Sequence, residues 1–478
     1  MSREADSSRE KPPELPRFGL SLVAISSHWR SQWSRYLEVG TPWPGVRTAS
    51  NPATTGNDMQ VEFSKLANGI TTETAFDVLA IAKRLKSEGK NVIELEIGDS
   101  PFPTTRSAAA AGIAAIEADH CHYGPSTGLP EFRQATADYV KQQYQVPATA
   151  DCVVAGPGAK NFETLFCEAF VNPGDGVLVF SPYFPTYIPN INRRGGRITF
   201  SNLRQEHSFR PHLDDVERFL DEDPAPKAIF LNSPHNPTGG VATHDDLKGL
   251  ADLVRGRNVA VFCDEPYDQM AWTGKHHSLL AEEGMMEQCV AAYTFSKSFS
   301  MSGWRLGFTV SSPAIAQMIA KLTNTALSCV PPFVQLAGVA ALQNDLAERD
   351  ENMATFRSKV EFLAGQLNEI PDINCLTPGG SFYVFPDVSA ICHRYHITSH
   401  GLAMYLLQAA DDEFGVACLG GECFGEAGGG FLRFSCAEPD EKLQEALDFL
   451  PDAFQRQDRI EAFLAANSGY QLPAHYQV

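Results

Sequence analysis

Five short apolar runs in the middle of the chain constrain its fold more than any other feature. They occupy residues 176–180, 228–231, 259–262, 290–294 and 307–310. Runs of this length without alternating polar residues are typical of strands buried on both faces, as in a parallel sheet covered by helices. Apolar side chains also recur at helical spacing from about Thr72 and again after Gly158. The sequence therefore predicts an α/β fold with a mostly parallel sheet between helices, and ligands bind at the carboxyl ends of such strands.

Length and composition predict a globular protein with more than one domain. The chain has 478 residues, of which 43% are hydrophobic and 20% charged, enough to build a sizeable core. Segments 378–385 and 430–435 resemble strands of a smaller α+β lobe near the C-terminus. We predict an extension that is disordered (1–58), the N-terminal part of a small domain (59–105), a large domain (106–345), the C-terminal part of the small domain (346–468) and a tail (469–478).

The charge balance and the cysteines exclude several classes of function. The net charge is −20, which argues against a nucleic-acid surface and against docking on anionic lipid. We find no apolar run long enough to span a bilayer, so no membrane partner is expected. The eleven cysteines are scattered and lack zinc-site spacing, which predicts no metal site and free thiols in a reducing compartment such as the cytoplasm.

One lysine lies in a stretch that suggests cofactor chemistry. Lys297 stands between Ser296 and Ser298, and Arg305 follows eight positions later. A lysine can form a Schiff base with an aldehyde cofactor, while hydroxyls and an arginine can hold a phosphate on that cofactor. Together they suggest pyridoxal 5'-phosphate (PLP). Most lysines are surface residues, so the interpretation depends on what accompanies Lys297.

Polar residues at the ends of other predicted strands supply that company. Asp264 follows the run 259–262, where a carboxylate could face a protonated pyridine nitrogen, cap a helix or form a structural salt bridge. Tyr267 could donate a hydrogen bond to a phenolic oxygen or simply pack. Asn236 lies in a turn rich in proline and glycine and could reach the same oxygen.

Five further residues, in three separate segments, complete the predicted site. Gly158, Ala159 and Lys160 follow a strand and open a helix, where backbone N–H groups can hold a phosphate. Phe184 could lie flat on a pyridine ring or belong to the core. Arg433 is a lone charge among apolar residues, and its partner is either a substrate α-carboxylate or an internal acidic residue.

Taken together, these motifs resemble the class I/II aminotransferase family, the fold-type I PLP enzymes. The resemblance runs from about Thr72 to Phe454 and includes Gly98, Tyr123, Gly158-Ala-Lys160, Asn236-Pro-Thr-Gly239, Asp264-Glu-Pro-Tyr267, the stretch 297–305 and Arg433. It implies a large domain plus a small domain built from both chain ends.

The resemblance also implies roles, position by position. Lys297 corresponds to the lysine that bonds to the cofactor and moves the substrate's proton, and Asp264 to the partner of the pyridine nitrogen. The phenolic oxygen is held by Asn236 and Tyr267, and Phe184 stacks on the ring. Phosphate contacts are implied for Gly158, Ala159, Thr294 and Arg305, and we also expect Lys160 and Ser296 to bind the cofactor. Tyr123 is similar to a tyrosine that reaches the neighbouring subunit's phosphate, which implies a homodimer with shared active sites. Arg433 matches the carboxylate-binding arginine, with Gly98 and Asn236 also beside the substrate.

Substrate preference does not follow from the resemblance. Where the family often has Glu-Pro-Asp-Phe, this chain has Asp99-Ser-Pro-Phe102, and Gly420-Gly421 replaces the usual Pro-Gly. The first of these segments touches substrate in the family. We therefore expect an L-amino acid donor, aspartate or a broad range, and a 2-oxo acid acceptor.

Transamination is the leading hypothesis among three. A PLP-dependent C–S β-lyase or an enzyme similar to aminocyclopropane-carboxylate synthases would keep the same cofactor ligands. Pyruvate and ammonia released without amination of the cofactor would indicate the lyase. A non-catalytic regulator with a DNA-binding head is disfavoured by the net charge and by the irregular N-terminal segment.

Overall fold

A seven-stranded sheet lies at the centre of the larger part of the protein. The structure is a computed structural model and describes residues 61–70 and 72–473. The strands of this sheet are β2 (Val153–Gly156), β3 (Gly176–Ser181), β4 (Arg197–Asn202), β5 (Pro226–Asn232), β6 (Ala260–Asp264), β7 (Cys289–Thr294) and β8 (Gly307–Val310). The strand order is β2-β8-β7-β6-β5-β3-β4, in which β8 runs in the direction opposite to the other six strands.

The predicted apolar runs form strands because both faces of this sheet are covered. In β3, Val177 and Val179 point into one hydrophobic core, while Leu178 and Phe180 point into the other. All of these side chains are buried. With no solvent-exposed face, the strand has no place for alternating polar residues. The prediction of a mostly parallel sheet between helices is confirmed.

The edge strand β4 was absent from the prediction. Its residues are mostly exposed, and Phe200 is 49% exposed. An edge strand with one open side lacks the unbroken apolar run that marks the central strands.

Helices cover both faces of the sheet and build the smaller lobe. Several begin at sequence signals that satisfy free backbone N–H groups. Thr243 and Asp246 form a reciprocal capping box at the start of helix His244–Val254. Proline opens three helices, where no N–H is needed: Pro130–Tyr144, Pro313–Leu327 and Pro332–Asn344. The helices are α1 (Lys65–Gly69), α2 (Thr74–Ser87), α3 (Arg106–Glu117), α4 (Pro130–Tyr144), α5 (Ala159–Phe170), α6 (Tyr187–Arg194), α7 (Leu213–Glu222), α8 (His244–Val254), α9 (Pro313–Leu327), α10 (Pro332–Asn344), α11 (Leu346–Leu367), α12 (Ser389–Tyr395), α13 (Ser399–Gln408), α14 (Asp440–Ala453) and α15 (Gln457–Ala466).

Two small sheets are built from a strand near residue 91 and strands between residues 383 and 435. One pairs β1 (Asn91–Glu94) with β10 (Phe414–Ala417) in parallel. The other is antiparallel, in the order β11 (Leu419–Gly420), β12 (Leu432–Ser435) and β9 (Tyr383–Val384). The backbone N–H of Ser435 donates to the carbonyl of Leu95, 2.8 Å away, which places the segment after β1 beside β12.

The remaining predictions about organisation have different outcomes. The described residues from Ser64 onward form one compact unit. The boundaries at 105 and 345 stay a prediction. The predicted extension, 1–58, and residues 474–478 of the predicted tail lie outside the described residues. In the described part of that tail, the ring of Tyr470 packs against the ring of Phe463. The eleven cysteines are free thiols, as predicted. Within residues 61–70 and 72–473, no helix combines the length and apolarity that a membrane span requires.

Candidate active site

A cavity of about 480 Å³ opens where the carboxyl ends of the central strands meet the smaller lobe. Its volume is within the range of small-molecule sites. Most of the residues predicted from the sequence line this cavity: Gly98, Ala159, Lys160, Phe184, Asn236, Asp264, Tyr267, Thr294, Ser296, Lys297, Arg305 and Arg433. Gly158 caps the helix beside it. The chain thus brings together residues that are far apart in the sequence.

Lys297 lies on the loop after β7 and is partly buried. Its Nζ donates to the backbone carbonyl of Gly98 at 2.5 Å. Burial, together with the positive charge of Arg433, lowers the pKa of the Lys297 amine to about 8, although the negative charge of Asp99 opposes the shift. A solvated lysine has a pKa near 10.4, so a much larger fraction of Lys297 is unprotonated and nucleophilic at neutral pH.

Asp264 ends β6 with its carboxylate at the cavity. Oδ2 accepts a hydrogen bond of 2.5 Å from the hydroxyl of Tyr187, and no group in the described part of the chain donates to Oδ1. Burial raises the pKa of Asp264 to about 7, although the Tyr187 hydrogen bond opposes the shift. A buried carboxylate with one bare oxygen is suited to a cationic or N–H partner that enters the cavity.

Arg433 lies on β12 and is 4% exposed. Its Nη1 donates to the side-chain oxygen of Asn236 at 3.0 Å, and its Nη2 donates to the backbone carbonyl of Glu96. The guanidinium also stacks against the rings of Tyr383 and Phe424, 4.3 and 4.9 Å from their centres. Among the ion pairs of residues 61–70 and 72–473, none involves Arg433. Of the two partners that the sequence left open, the described residues supply no acidic group close enough to form an ion pair with Arg433.

Another group of residues at the cavity has the features of an anion site. Gly158 caps α5 with a φ of 91°, and a Cβ at this position would lie 2.8 Å from Nη2 of Arg305. The hydroxyls of Thr294 and Ser296, which also line the cavity, lie 2.8 Å apart. A helix N-terminus, two hydroxyls and a guanidinium together favour a phosphate.

Two predicted residues have surroundings that the sequence did not reveal. Lys160 forms an ion pair with Glu73, and its ammonium lies 5.4 Å from the centre of the Phe184 ring. Tyr123 is 91% exposed and is not part of the cavity wall. A role for Tyr123 in a neighbouring subunit's site stays a prediction.

Sequence reasoning missed several residues of the site. Tyr187 holds Asp264, and Asn232 links two segments because its side chain donates to the carbonyl of Asp264 and accepts from the N–H of Asn236. Tyr383 accepts a hydrogen bond from Tyr267 at 3.2 Å. Asn232 ends β5 and Tyr187 begins the helix that follows β3, so a position near the end of a strand was the available signal for these two residues, whereas Tyr383 lies within β9.

These features fit PLP. The bare oxygen of Asp264 suits a protonated pyridine nitrogen, the amine of Lys297 suits an aldehyde, and the anion site suits a phosphate.

Comparisons with known proteins agree with this chemistry. The family described as "Aminotransferase class I and II" matches residues 90–450. Aspartate aminotransferase of Pyrococcus abyssi is 32% identical over 363 residues, covering 75% of this chain and 90% of the relative. The Thermotoga maritima aspartate aminotransferase is 31% identical over 389 residues, covering 81% of this chain and 98% of the relative.

Solved structures show the same architecture. A single mutant of Thermus thermophilus aspartate aminotransferase has a TM-score of 0.76 at 26% identity, covering 82% of this chain and all of that one. An aromatic aminotransferase from Pyrococcus horikoshii has a TM-score of 0.70 at 29% identity, covering 81% and 99%. The chain belongs to the class I and II aminotransferase family and is a PLP-dependent aminotransferase.

Proposed function

We propose that this enzyme transfers the amino group of an L-amino acid, aspartate or a broader range, to a 2-oxo acid, with the predicted residues in the predicted roles. The observation that carries the proposal is the shared cavity. An amine with a lowered pKa faces it, as do a carboxylate oxygen that accepts no hydrogen bond and a guanidinium that forms no ion pair within the described residues. Each of these groups is unfavourable in a folded protein unless a ligand completes it.

Lys297 is the proton carrier in this proposal. PLP, when bound, draws electron density away from the substrate's Cα–H bond. The amine of Lys297 would take the proton from Cα, hold it and give it up again later in the reaction. A pKa near 8 suits both tasks, since proton transfer is most efficient when the pKa lies near the working pH. The carbonyl of Gly98 keeps the amine at the cavity wall.

Other residues bind and orient. Asp264 would hold the pyridine nitrogen, and Tyr187 and Asn232 hydrogen-bond to Asp264. Asn236 and Tyr267 would hold the phenolic oxygen, and Phe184 would pack on the ring. The phosphate would be held by Gly158, Ala159, Lys160, Thr294, Ser296 and Arg305.

Arg433 selects the α-carboxylate of the substrate. A guanidinium pairs with a carboxylate through two parallel hydrogen bonds. These bonds fix the orientation of the substrate's Cα and also contribute to the affinity for the substrate. The Nη1 contact with Asn236 and the rings of Tyr383 and Phe424 hold the guanidinium plane in place.

The identity of the amino donor is the least specific part of the proposal. Glu73 and Lys160 pair on the cavity wall, and Phe76 and Ala75 lie nearby. This wall offers both charge and apolar surface to a substrate side chain. Relatives are named for aspartate and structural neighbours for aspartate, aromatic amino acids or alanine.

We also propose a homodimer with shared active sites. Tyr123 is 91% exposed, and Ile113 and Ile116 of α3 are 60% and 51% exposed. Exposed apolar side chains on one helix are expected at a subunit interface. A monomer by sedimentation equilibrium at micromolar concentration would contradict this part.

A half-reaction screen tests the function. Purified enzyme with PLP is mixed with single L-amino acids, and the cofactor's visible absorbance and the 2-oxo acid product are followed. We expect loss of the absorbance, amination of the cofactor and one equivalent of 2-oxo acid. Lys297→Ala should abolish this, whereas Lys321→Ala, at an exposed lysine of α9, should not. Pyruvate and ammonia without an aminated cofactor would contradict transamination.

A further inference from the structure

Glu96 is a buried acid that the proposed mechanism does not use. Its side chain is fully buried, and no other residue in the described part of the chain donates a hydrogen bond to either carboxyl oxygen. Burial of an unpartnered carboxyl group costs several kcal/mol, of order 2–7 in transfer estimates. Such a group needs an explanation.

The fold places Glu96 directly beside Arg433. The segment after β1 runs between two strands, because the N–H of Leu95 donates to Ala417 at 2.9 Å and the N–H of Ser435 donates to Leu95 at 2.8 Å. The next carbonyl along, that of Glu96 itself, accepts the hydrogen bond from Nη2 of Arg433. Nε of Arg433 is buried and has no partner within the described residues.

The charges around Glu96 are mostly negative. Glu94 on its own strand and Glu438 before α14 disfavour its ionised form, and Arg433 on β12 favours it. The thiol of Cys418, which follows β10, also faces it. Burial is the largest cause that raises the pKa of Glu96 to about 7. The carboxyl group is therefore balanced between its two forms near neutral pH.

We propose that Glu96 is a positioning residue for substrate binding, which takes up a proton when Arg433 binds the substrate's α-carboxylate. The inference rests on the proposed role of Arg433. In the free enzyme, ionised Glu96 partly compensates the guanidinium. A substrate carboxylate takes over that role and repels a second anion, so one proton from solvent adds to a Glu96 oxygen.

The direction of the pH dependence follows from this linkage. Binding raises the pKa of Glu96 above its free value of about 7, so the bound state holds more protons. Affinity for a carboxylate is then highest below about pH 7 and falls as the pH rises between the free and the bound pKa. Each pKa unit of upward shift gives about a tenfold loss of affinity.

The test uses the PLP-loaded enzyme and 3-phenylpropionate, a carboxylate without an amino group. Its Kd is measured by calorimetry from about pH 6 to about pH 9, a range in which a simple carboxylate stays ionised. For the wild type we expect Kd to rise about tenfold across this range. Glu96→Gln should keep the low-pH affinity throughout. Glu88→Gln, an exposed glutamate at the end of α2, should behave like the wild type.

A pH profile of Glu96→Gln that matches the wild type would overturn the proposal. If this variant does not fold, proton uptake by the wild type decides instead, from binding enthalpies in two buffers of different ionisation enthalpy at about pH 7. Zero uptake would overturn the proposal. The half-reaction screen is a separate readout. If transamination is normal but Kd does not change with pH, the Glu96 proposal alone is contradicted. If ligand binding takes up a proton but no transamination occurs, the proposed function alone is contradicted.

Discussion

Tyr187→Phe should weaken cofactor binding although Tyr187 has no assigned contact with the cofactor. The substitution removes one oxygen from a ring that is 2% exposed, so the packing is kept. It deletes the hydrogen bond of 2.5 Å to Oδ2 of Asp264, the single side-chain bond that this carboxylate accepts within the described residues. Hydrogen bonds to charged groups contribute about 1.5–3 kcal/mol.

The size of the effect follows from the pKa of Asp264. At about 1.4 kcal/mol per unit, loss of this bond raises a pKa of about 7 by about one to two units. The ionised fraction at pH 7 then falls from about half to between about a tenth and about a hundredth. PLP with a protonated pyridine nitrogen needs the ionised form, so its affinity should fall about 5- to 50-fold.

Titration of cofactor-free enzyme with PLP, followed by tryptophan fluorescence, measures this loss. Tyr183→Phe is the matched control, because Tyr183 lies in the same segment as Tyr187. Its ring stacks on Phe200, and its hydroxyl makes no hydrogen bond to Asp264. The difference in PLP affinity between the two variants should decrease as the pH rises, since Asp264 is then ionised in both. An affinity of folded Tyr187→Phe within twofold of the control at pH 7 would refute the reasoning.

Three further outcomes test other parts of the cavity. Gly98→Ala places a Cβ 1.6 Å from the hydroxyl of Tyr383, so we expect a loss of about 1–3 kcal/mol in thermal denaturation and a raised KM, with Gly365→Ala, which has open space, as the control. Arg433→Lys replaces a bidentate donor by a point charge, so KM for amino acids should rise at least about tenfold with a smaller change in kcat. A fall in kcat as large as the fall in kcat/KM would contradict ground-state carboxylate binding. The rate at which cofactor-free enzyme captures PLP, trapped with borohydride, should rise through about pH 8 as Lys297 loses its proton, and a rise only near pH 10 would show that burial does not activate the amine.

The elements that the sequence predicted share a physical cause. Strands such as β3 and β6 are buried on both faces, so their composition is unmixed and visible without a structure. Asp264 is the polar last residue of such a strand and Lys297 lies three residues after another, and that position marks them. The strand β4 lacks this contrast because one of its sides is open.

What the sequence missed depends on contacts between distant segments. Tyr187 and Asp264 are separated by 77 positions, and Lys160 and Glu73 by 87. No local pattern reports such pairs, since each residue is compatible with ordinary packing or a solvated surface. The role of Glu96 was invisible for the same reason: in the sequence it alternates with apolar residues as any strand residue would, and only the fold buries it beside Arg433.

The distribution of unpaired buried groups links the fold to its function. Nine buried side-chain polar atoms lack a partner among the described residues, and four of them belong to Asp264, Glu96 and Arg433. Folded proteins pair nearly all such atoms, and each exception lowers stability by about 1–3 kcal/mol. A sequence selected for stability alone would replace these groups by apolar residues of similar volume. Their concentration at and behind a single cavity is explained if bound molecules complete them: a pyridine nitrogen for Asp264, a carboxylate for Arg433 and, through that carboxylate, a proton for Glu96.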